Sequence, residues 1–582
     1  MFELFVPGRT GRTFLATTPN RWDWALLPLV LAVLAGAALG AMQMARPFAL
    51  GQPDTLALLP ARLPWYLLCT ILRMFAALAC SLLFTCAFAV AATRWRAAEK
   101  ILVPLLDVLQ SVPILGFQAI AIAPFIALFP GRMLGVECAA IFAIFTSQAW
   151  NMAFSLYQSM KTIPPELAEA ARVFRLSAWQ RFWRLELPFA MPSLLWNMMM
   201  SMSGGWFFLV AAEAISVAGQ DIKLPGIGAW IAVAIERRDG AAIAWAIGAM
   251  FAGIVLVDQL FFRPLLAWAD KFRVEETGAP GDAARRSWLL DWTRRSRLAR
   301  AAGRRARALL GRVPGWFPVA ARADAGAGAP APRRPAPPWH AHAFDAALAV
   351  LALLGAWRFL LFVHAQVGWD EALHVVALGG ITLARVLLLI ALASLFWVPV
   401  AVWIGLRPWW AQKVQAVAQF LAAFPVNLMF PLVVYGIVHL RLAPNVWLSP
   451  LMVFGTQWYI LFNVVAGAST LPGELRLAAG NLGLRGWLLW KRVYLPAVFP
   501  SFVTGAITAS GGSWNAAIVA EYVTWGKTAL VADGLGSYIR RMTDAGDFHR
   551  IALGIGVMCV FVMLLNRVFW RRLYLLAEDR SR

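Results

Sequence analysis

The chain has 582 residues, of which 61% are hydrophobic and only 14% are charged. A soluble protein carries about a quarter charged residues, so the composition excludes an ordinary soluble domain and predicts a protein that crosses a membrane several times. The net charge of +22 would suit a nucleic-acid-binding protein, but most basic residues lie beside apolar runs or in one central linker, as in cytosolic loops of membrane proteins. We therefore expect no nucleic acid among its partners.

The first half of the chain contains six apolar runs, each long enough to cross a bilayer as a helix. The first run lacks a clear cleavage site and is interpreted as a transmembrane helix, not a signal peptide. Basic residues precede the first run and follow the second, fourth and sixth, which predicts that the N-terminus and these ends lie in the cytosol. The runs fall near 24–44, 63–92, 104–129, 134–159, 188–212 and 241–262.

A linker at residues 270–341 follows this half. Between Lys271 and Arg334 it has 15 Lys or Arg against 5 Asp or Glu, and its later part is too rich in Gly, Ala and Pro to form a packed core. Residues 285–310 could form a basic helix, with Trp288 and Trp292 on one side, that lies on anionic lipid. We favour the simpler interpretation that a connector between two cytosolic ends is basic because it is cytosolic.

Residues 342–582 repeat the plan of residues 1–269. An offset of 312 pairs Thr70 with Thr382, and from the fourth run onward an offset of 308 holds and pairs Glu213 with Glu521. A repeat of this length predicts a tandem duplication with both halves in the same orientation. The expected fold is an all-α polytopic membrane protein with about twelve transmembrane helices and both termini in the cytosol. The runs of the second half fall near 344–364, 373–405, 417–438, 447–467, 496–520 and 551–569.

One polar stretch also occurs twice, in the loops at residues 164–187 and 472–495. The first reads ELAEAARVFRLSAWQRFWRLEL from Glu166, and the second reads ELRLAAGNLGLRGWLLWKRVYL from Glu474. Glutamate at a helix start suits the helix dipole, and a pair of alanines gives a thin face that can enter a groove. A single copy would be equally well explained as an interfacial helix. Two copies in register favour a pair of docking sites.

These loops resemble the Glu-Ala-Ala-x-x-x-Gly loop of ABC importer permeases, in which a short coupling helix seats in a groove of an ATPase subunit. Arg175 stands where the family has Gly, and Leu477 stands where it has Glu, so the resemblance implies two docking helices of unequal affinity. The residues carried over are Glu166, Glu169, Ala170, Ala171 and Arg175 in the first loop and Glu474, Ala478, Ala479 and Gly483 in the second.

Both repeats further resemble the nitrate/sulfonate/taurine branch of importer permeases, and best its duplicated anion-permease members. The shared features are Thr-x-x-Arg in the second run, Pro in the third, Leu-Pro after the loop, and Ala-Glu followed by Gly-x-Gly. The resemblance implies a type I importer fold in a bacterial inner membrane, with one chain forming both halves of the pore. It also implies a small anionic solute such as nitrate or a sulfonate, an external solute-binding protein, and two ATPase copies that hold ATP and magnesium.

We expect no catalytic, cofactor-binding or metal-binding residues in this chain. The only sequence that looks like a phosphate loop, WGKT at 525–528, lacks the glycine required five residues before its own glycine. The ATPase must therefore be a separate polypeptide.

Candidate pathway residues lie inside the apolar runs. Arg73 and Arg385 occupy equivalent places and would favour an anionic solute if they face the pathway; alternatively they snorkel outward or pair with Glu213 or Glu521. Polar clusters in the fifth and eleventh runs either line a pore or allow close helix packing. These clusters, with one weaker candidate in the ninth run, supply Ser203, Trp206, Ser510, Ser513, Trp514, Asn515 and Asn427.

Two other classes of protein remain as alternatives. An ion-coupled secondary transporter would usually carry intramembrane carboxylates, and the apolar runs contain almost none besides Asp107 and Asp258. A membrane-embedded enzyme would need clustered His, Asp or Cys, and the 6 histidines are scattered along the chain.

Overall fold

The computed structural model describes residues 20–44, 46–47, 56–217, 220–272, 287–310, 338–526 and 528–581. In its first half, strands β1 (Ala214–Val217) and β2 (Gln220–Lys223) form an antiparallel hairpin, and the other described elements are helices. The helices are α1 (Arg21–Met44), α2 (Leu63–Arg94), α3 (Arg96–Ser111), α4 (Ile114–Leu128), α5 (Met133–Lys161), α6 (Pro165–Val173), α7 (Ala178–Arg181), α8 (Leu187–Glu213), α9 (Ile227–Glu236), α10 (Gly240–Val257) and α11 (Arg263–Ala269).

The linker contributes α12 (Trp288–Arg295) and α13 (Arg297–Leu310), and the second half again has one hairpin, formed by β3 (Tyr522–Trp525) and β4 (Thr528–Val531). Its helices are α14 (Pro338–His364), α15 (Trp369–Gly405), α16 (Pro408–Ala423), α17 (Phe430–His439), α18 (Pro444–Trp447), α19 (Leu451–Phe454), α20 (Gln457–Ser469), α21 (Gly473–Asn481), α22 (Gly486–Leu489), α23 (Leu495–Ala520), α24 (Leu535–Ala545), α25 (Phe548–Leu564) and α26 (Arg571–Ser581).

The two halves share the order of their main elements, which confirms the predicted all-α tandem duplication. They differ at the fourth span: α5 is continuous, whereas the predicted run 447–467 is not one helix but is divided into α18, α19 and α20, with a bend of 41° before α20. The short helices α6 and α21 begin and end at residues that differ by the offset of 308, and so do the hairpins that follow α8 and α23. Even the local irregularities repeat, because a π-helical turn at 182–186 precedes α8 and another at 490–494 precedes α23.

Within the described ranges, nine helical segments are long and apolar enough to cross a membrane, or eleven if each of two bent pairs counts as one span. The third predicted run, 104–129, is not one helix, because the chain breaks between α3 and α4 at Pro113. Pro425, at the equivalent place, separates α16 from the next turn with a bend of 78°. Proline lacks a backbone N–H and disfavours a helical residue before it, so both breaks follow from the sequence.

Each of these broken helices packs against its own repeat and also contacts the other repeat. Helix α4 packs against α23, α24 and α25 of the second repeat, and α16 packs against α8 and α10 of the first. The hydrophobic core of the first repeat accordingly includes Ala423 and Leu428 from the second. The two repeats therefore pack directly against each other.

Candidate functional site

The short helices α6 and α21 end in the same backbone motif. The N–H of Leu176 donates to the carbonyl of Ala171 at 3.0 Å, and the N–H of Leu484 donates to the carbonyl of Ala479 at 3.0 Å. The residue that precedes each donor is left-handed, with φ of 49° at Arg175 and 66° at Gly483. Glycine adopts this conformation at the least cost, which explains the glycine of the family motif and makes Arg175 the less favourable residue.

Both short helices present large apolar side chains to solvent. Val173 and Phe174 at the end of α6 are 79% and 63% exposed, and Leu482 at the end of α21 is 76% exposed. The second alanine of each predicted docking pair, Ala171 and Ala479, is instead buried. The exposed surface of each short helix therefore includes its apolar C-terminal end and is wider than an alanine face. The glutamates Glu166, Glu169 and Glu474 are exposed.

The first loop is held to the membrane helices by ion pairs. Glu186 forms an ion pair with Arg181 at 2.8 Å and accepts a hydrogen bond from Arg94 of α2 at 3.3 Å. At the base of the loop, the hydrogen bond from Lys161 to Glu99 lowers the pKa of that carboxyl group from its ordinary value. In the second repeat, Tyr494 stands where Glu186 stands in the first. The two loops are therefore attached differently.

At the opposite end of the first repeat, Glu213 organises a buried hydrogen-bond network. Its carboxylate accepts from the Thr70 hydroxyl at 2.8 Å and from the N–H of Gly228, at the start of α9, at 2.7 Å. The Thr70 hydroxyl in turn accepts from the N–H of Ile227 at 3.0 Å, and Arg73 forms an ion pair with Glu213. The Thr-x-x-Arg and Ala-Glu motifs therefore meet at one point.

The second repeat contains the same network around Glu521. Its carboxylate accepts from the Thr382 hydroxyl at 2.9 Å, from the N–H of Gly536 at 2.8 Å and from Arg385 at 3.1 Å. Thr382 accepts from the N–H of Leu535 at 2.9 Å. Of the alternatives that the sequence left open for the two arginines, the structure shows pairing with the glutamates.

The two networks differ in charge. Arg73, 2% exposed, also binds Glu137 in a two-pronged pair at 2.6 and 2.8 Å. Arg385 is 14% exposed. The second repeat has Asn445 at the position that corresponds to Glu137. The Asn445 side chain accepts from the Arg385 guanidinium at 3.4 Å and donates to Asp533 at 2.9 Å. Glu137 was missed by the sequence analysis, although a glutamate early in a predicted membrane run was a usable signal.

The Gly-x-Gly motif allows the close approach on which both networks depend. A Cβ at Gly226 would overlap the Glu213 carboxyl group, and a Cβ at Gly228 would overlap the carbonyl oxygen of Val210. In the second repeat a Cβ at Gly536 would overlap the carbonyl of Ala517. These glycines therefore seat the following short helix against the end of α8 or α23.

The remaining candidate pathway residues are buried in helix packing, line a cavity or bond to the other repeat. Ser510 and Trp206 are buried in the helix packing, and Trp514 stacks on Phe561. The Ser513 hydroxyl lies 2.9 Å from that of Thr456, and Ser203 lines a cavity of about 80 Å³ between the repeats.

The two asparagines join the repeats. The side chain of Asn515 accepts from the N–H of Ile114, at the start of α4, at 2.8 Å. The side chain of Asn427 donates to the carbonyl of Phe207 at 3.3 Å. These contacts lie at nearly equivalent positions and hold each broken helix on the other repeat.

A polar cleft that the sequence analysis did not predict lies among α3, α5 and α8, near the ends of α5 and α8 that are predicted to be cytosolic. Its volume is about 440 Å³. Asn151, Ser155 and Gln158 recur along one face of α5, a spacing that could have revealed it. Its lining is Asp107, Gln110, Asn151, Phe154, Ser155, Gln158, Ser159, Thr162, Ser193 and Asn197.

The fold and these sites define a duplicated multi-pass membrane protein with a polar interior cleft and paired helices exposed outside the membrane. The chain belongs to the family described as binding-protein-dependent transport system inner membrane component, whose model matches residues 84–263 and 397–582. The family is thus matched twice, once in each repeat. The predicted boundaries at 269 and 341 stay a prediction.

Similar proteins include permeases for different solutes. Over 112 residues the chain is 27% identical to the nitrate import permease protein NrtB of Synechocystis sp., over 19% of this chain and 38% of that protein. It is 26% identical over 161 residues to the bicarbonate transport system permease protein CmpB of the same organism, over 28% of this chain and 53% of CmpB. It is 29% identical over 161 residues to the glycine betaine/proline betaine permease protein ProW of Escherichia coli, over 27% of this chain and 41% of ProW. The chain therefore spans about half or less of each relative.

Proposed function

We propose that this chain is the permease subunit of an ATP-driven importer, in which its two repeats form both halves of the pathway for a small solute. Two copies of a separate ABC ATPase, with their ATP and magnesium, bind α6 and α21 on the cytosolic side, and an external binding protein delivers the solute. Movement of the two helices rocks one repeat against the other and alternates access across a bacterial inner membrane. Both chain termini lie in the cytosol.

The observation that carries this proposal is the geometric equivalence of α6 and α21. Both end in the same left-handed motif, and both expose large apolar side chains next to the basic inner ends of the membrane helices. A single interfacial helix would not need a register-matched copy in the other repeat. The contacts of α4 and α16 with the opposite repeat support the rocking motion, because a displacement of either repeat is transmitted to the other.

We further propose that the solute is an anion, on the basis of the family branch and the similarity to nitrate and bicarbonate permeases. Arg73 and Arg385 are paired with carboxylates, so the proposal of an anionic solute does not rest on direct contact with these arginines. The polar cleft supplies hydrogen-bonding groups on the cytosolic half of the pathway.

The test is co-purification of the chain with a co-expressed candidate ABC ATPase. Phe174 and Leu482 occupy equivalent positions at the ends of α6 and α21. The variants Phe174→Ser and Leu482→Ser should no longer co-purify with the ATPase, since each removes an exposed apolar contact. Val446→Ser is the control, because Val446 is equally exposed but lies on the predicted outer side. Retention of the ATPase by the double variant, with an unchanged elution profile, would favour an ion-coupled secondary transporter.

A further inference from the structure

The linker helices α12 and α13 are held against the first membrane helix. Helix α12 packs against both α1 and α11, and Leu289 is buried in this contact. The ring of Trp292 lies 5.7 Å from that of Trp22 and 4.8 Å from that of Trp288. Tryptophan clusters of this kind are typical of the membrane–water interface.

The joint between the linker helices and α1 is made by Asp23. Its buried carboxylate accepts from the Ser296 hydroxyl and, at 3.0 Å, from the N–H of Leu298 in the first turn of α13. The side chain of Asn20 donates to the carbonyl of Arg295 at 2.9 Å. A carboxylate at a helix N-terminus stabilises that helix. Because Asp23 lies where the apolar run begins, α13 starts at the level of the bilayer surface.

Helix α13 has the two faces of a helix that lies on a membrane. Its sequence, RLARAAGRRARALL, contains five arginines and no acidic residue. Arg300 and Arg304 are four residues apart and share one side, whereas Leu298 and Ala302 share another, and all four are exposed. An exposed apolar side next to an arginine side is the pattern of a helix lying at the interface.

We propose that α13 is a lipid-binding helix that lies on the cytosolic leaflet, with Leu298 and Ala302 in the headgroup region. Its exposed arginines Arg300, Arg304 and Arg305 bind phosphates of anionic phospholipids. Charge complementarity selects anionic over zwitterionic lipid, and the Asp23 joint supplies the position. This proposal extends the lipid alternative for residues 285–310. It depends on the membrane location of the chain and not on the ATPase or on the identity of the solute.

Hydrogen exchange of the full-length chain in lipid nanodiscs tests this proposal. The α13 amides are expected to exchange about tenfold or more slowly in discs that contain phosphatidylglycerol than in pure phosphatidylcholine, and about 0.5 M salt should remove the difference. Each basic residue near an anionic surface changes the equilibrium constant for surface binding roughly fivefold, so the triple variant Arg300→Gln, Arg304→Gln, Arg305→Gln should lower that constant about 100-fold. The matched triple change to lysine keeps the charge and should retain the protection.

Two outcomes would overturn the proposal. One is equal exchange of wild-type α13 in both lipids. The other is protection that arises only when a purified ABC ATPase is added, whatever the lipid, which would assign α13 to that protein partner. Peptides from α25 serve as the internal reference, because a buried membrane helix should exchange equally slowly in every condition.

Discussion

Replacement of Arg73 by glutamine should destabilise the protein far more than the equivalent change at Arg385. Arg73 is the buried partner of two carboxylates, Glu213 and Glu137, and removing one member of a buried ion pair costs about 3–5 kcal/mol because the other charge is left unpaired. Arg385 is partly exposed and its partner Glu521 keeps several other donors, so its loss should cost about 1–3 kcal/mol. At about 2–4 °C per kcal/mol for a unit of this size, the expected falls in melting temperature are about 10 °C and about 5 °C.

The assay is loss of the monodisperse peak on size-exclusion chromatography after heating. Arg263→Gln is the control, because its pair with Asp258 is half exposed and should contribute about 0–1 kcal/mol. Adding Glu137→Gln to Arg73→Gln should restore part of the loss, since it removes one of the two unpaired charges. A further loss in that double variant, or an effect of Arg73→Gln no larger than the control, would refute the reasoning.

Three further predictions, made with five substitutions, concern the backbone and the contact between the repeats. Gly228→Ala should lower the free energy of unfolding by about 1–3 kcal/mol through overpacking. Gly248→Ala is the control: a Cβ there meets nothing within 4 Å, so it should be neutral or stabilising by up to about 1 kcal/mol. Chemical unfolding of both variants measures the difference. Arg175→Gly should raise the melting temperature slightly, because it relieves about 1 kcal/mol of left-handed strain, and Gly483→Ala should lower it; equal responses would contradict this account. Asn515→Ala should cost about 1 kcal/mol by orphaning the Ile114 N–H, and a solute-uptake assay in proteoliposomes should show a reduced rate.

The sequence by itself determined the architecture of this protein. Apolar length, basic inner ends and the offset of 308 residues were enough for the duplicated all-α membrane fold, because lipid forces every spanning segment to satisfy its own backbone. The register-matched polar loops likewise predicted the existence and place of α6 and α21. The local chemistry of proline also explains the breaks at Pro113 and Pro425, although the runs that contain these prolines were predicted as continuous helices.

Only the tertiary structure decided what the motifs touch. Glu213 lies 140 residues from Arg73, and no local pattern shows that its carboxylate also holds the first turn of α9 or that Glu137 completes the pair. The contacts of α4 and α16 with the opposite repeat, the polar cleft and the hydrogen bonds of Asp23 to α13 also depend on contacts between distant segments. Helical periodicity tells which residues share a face, but the neighbour that covers that face is chosen by packing of the whole chain.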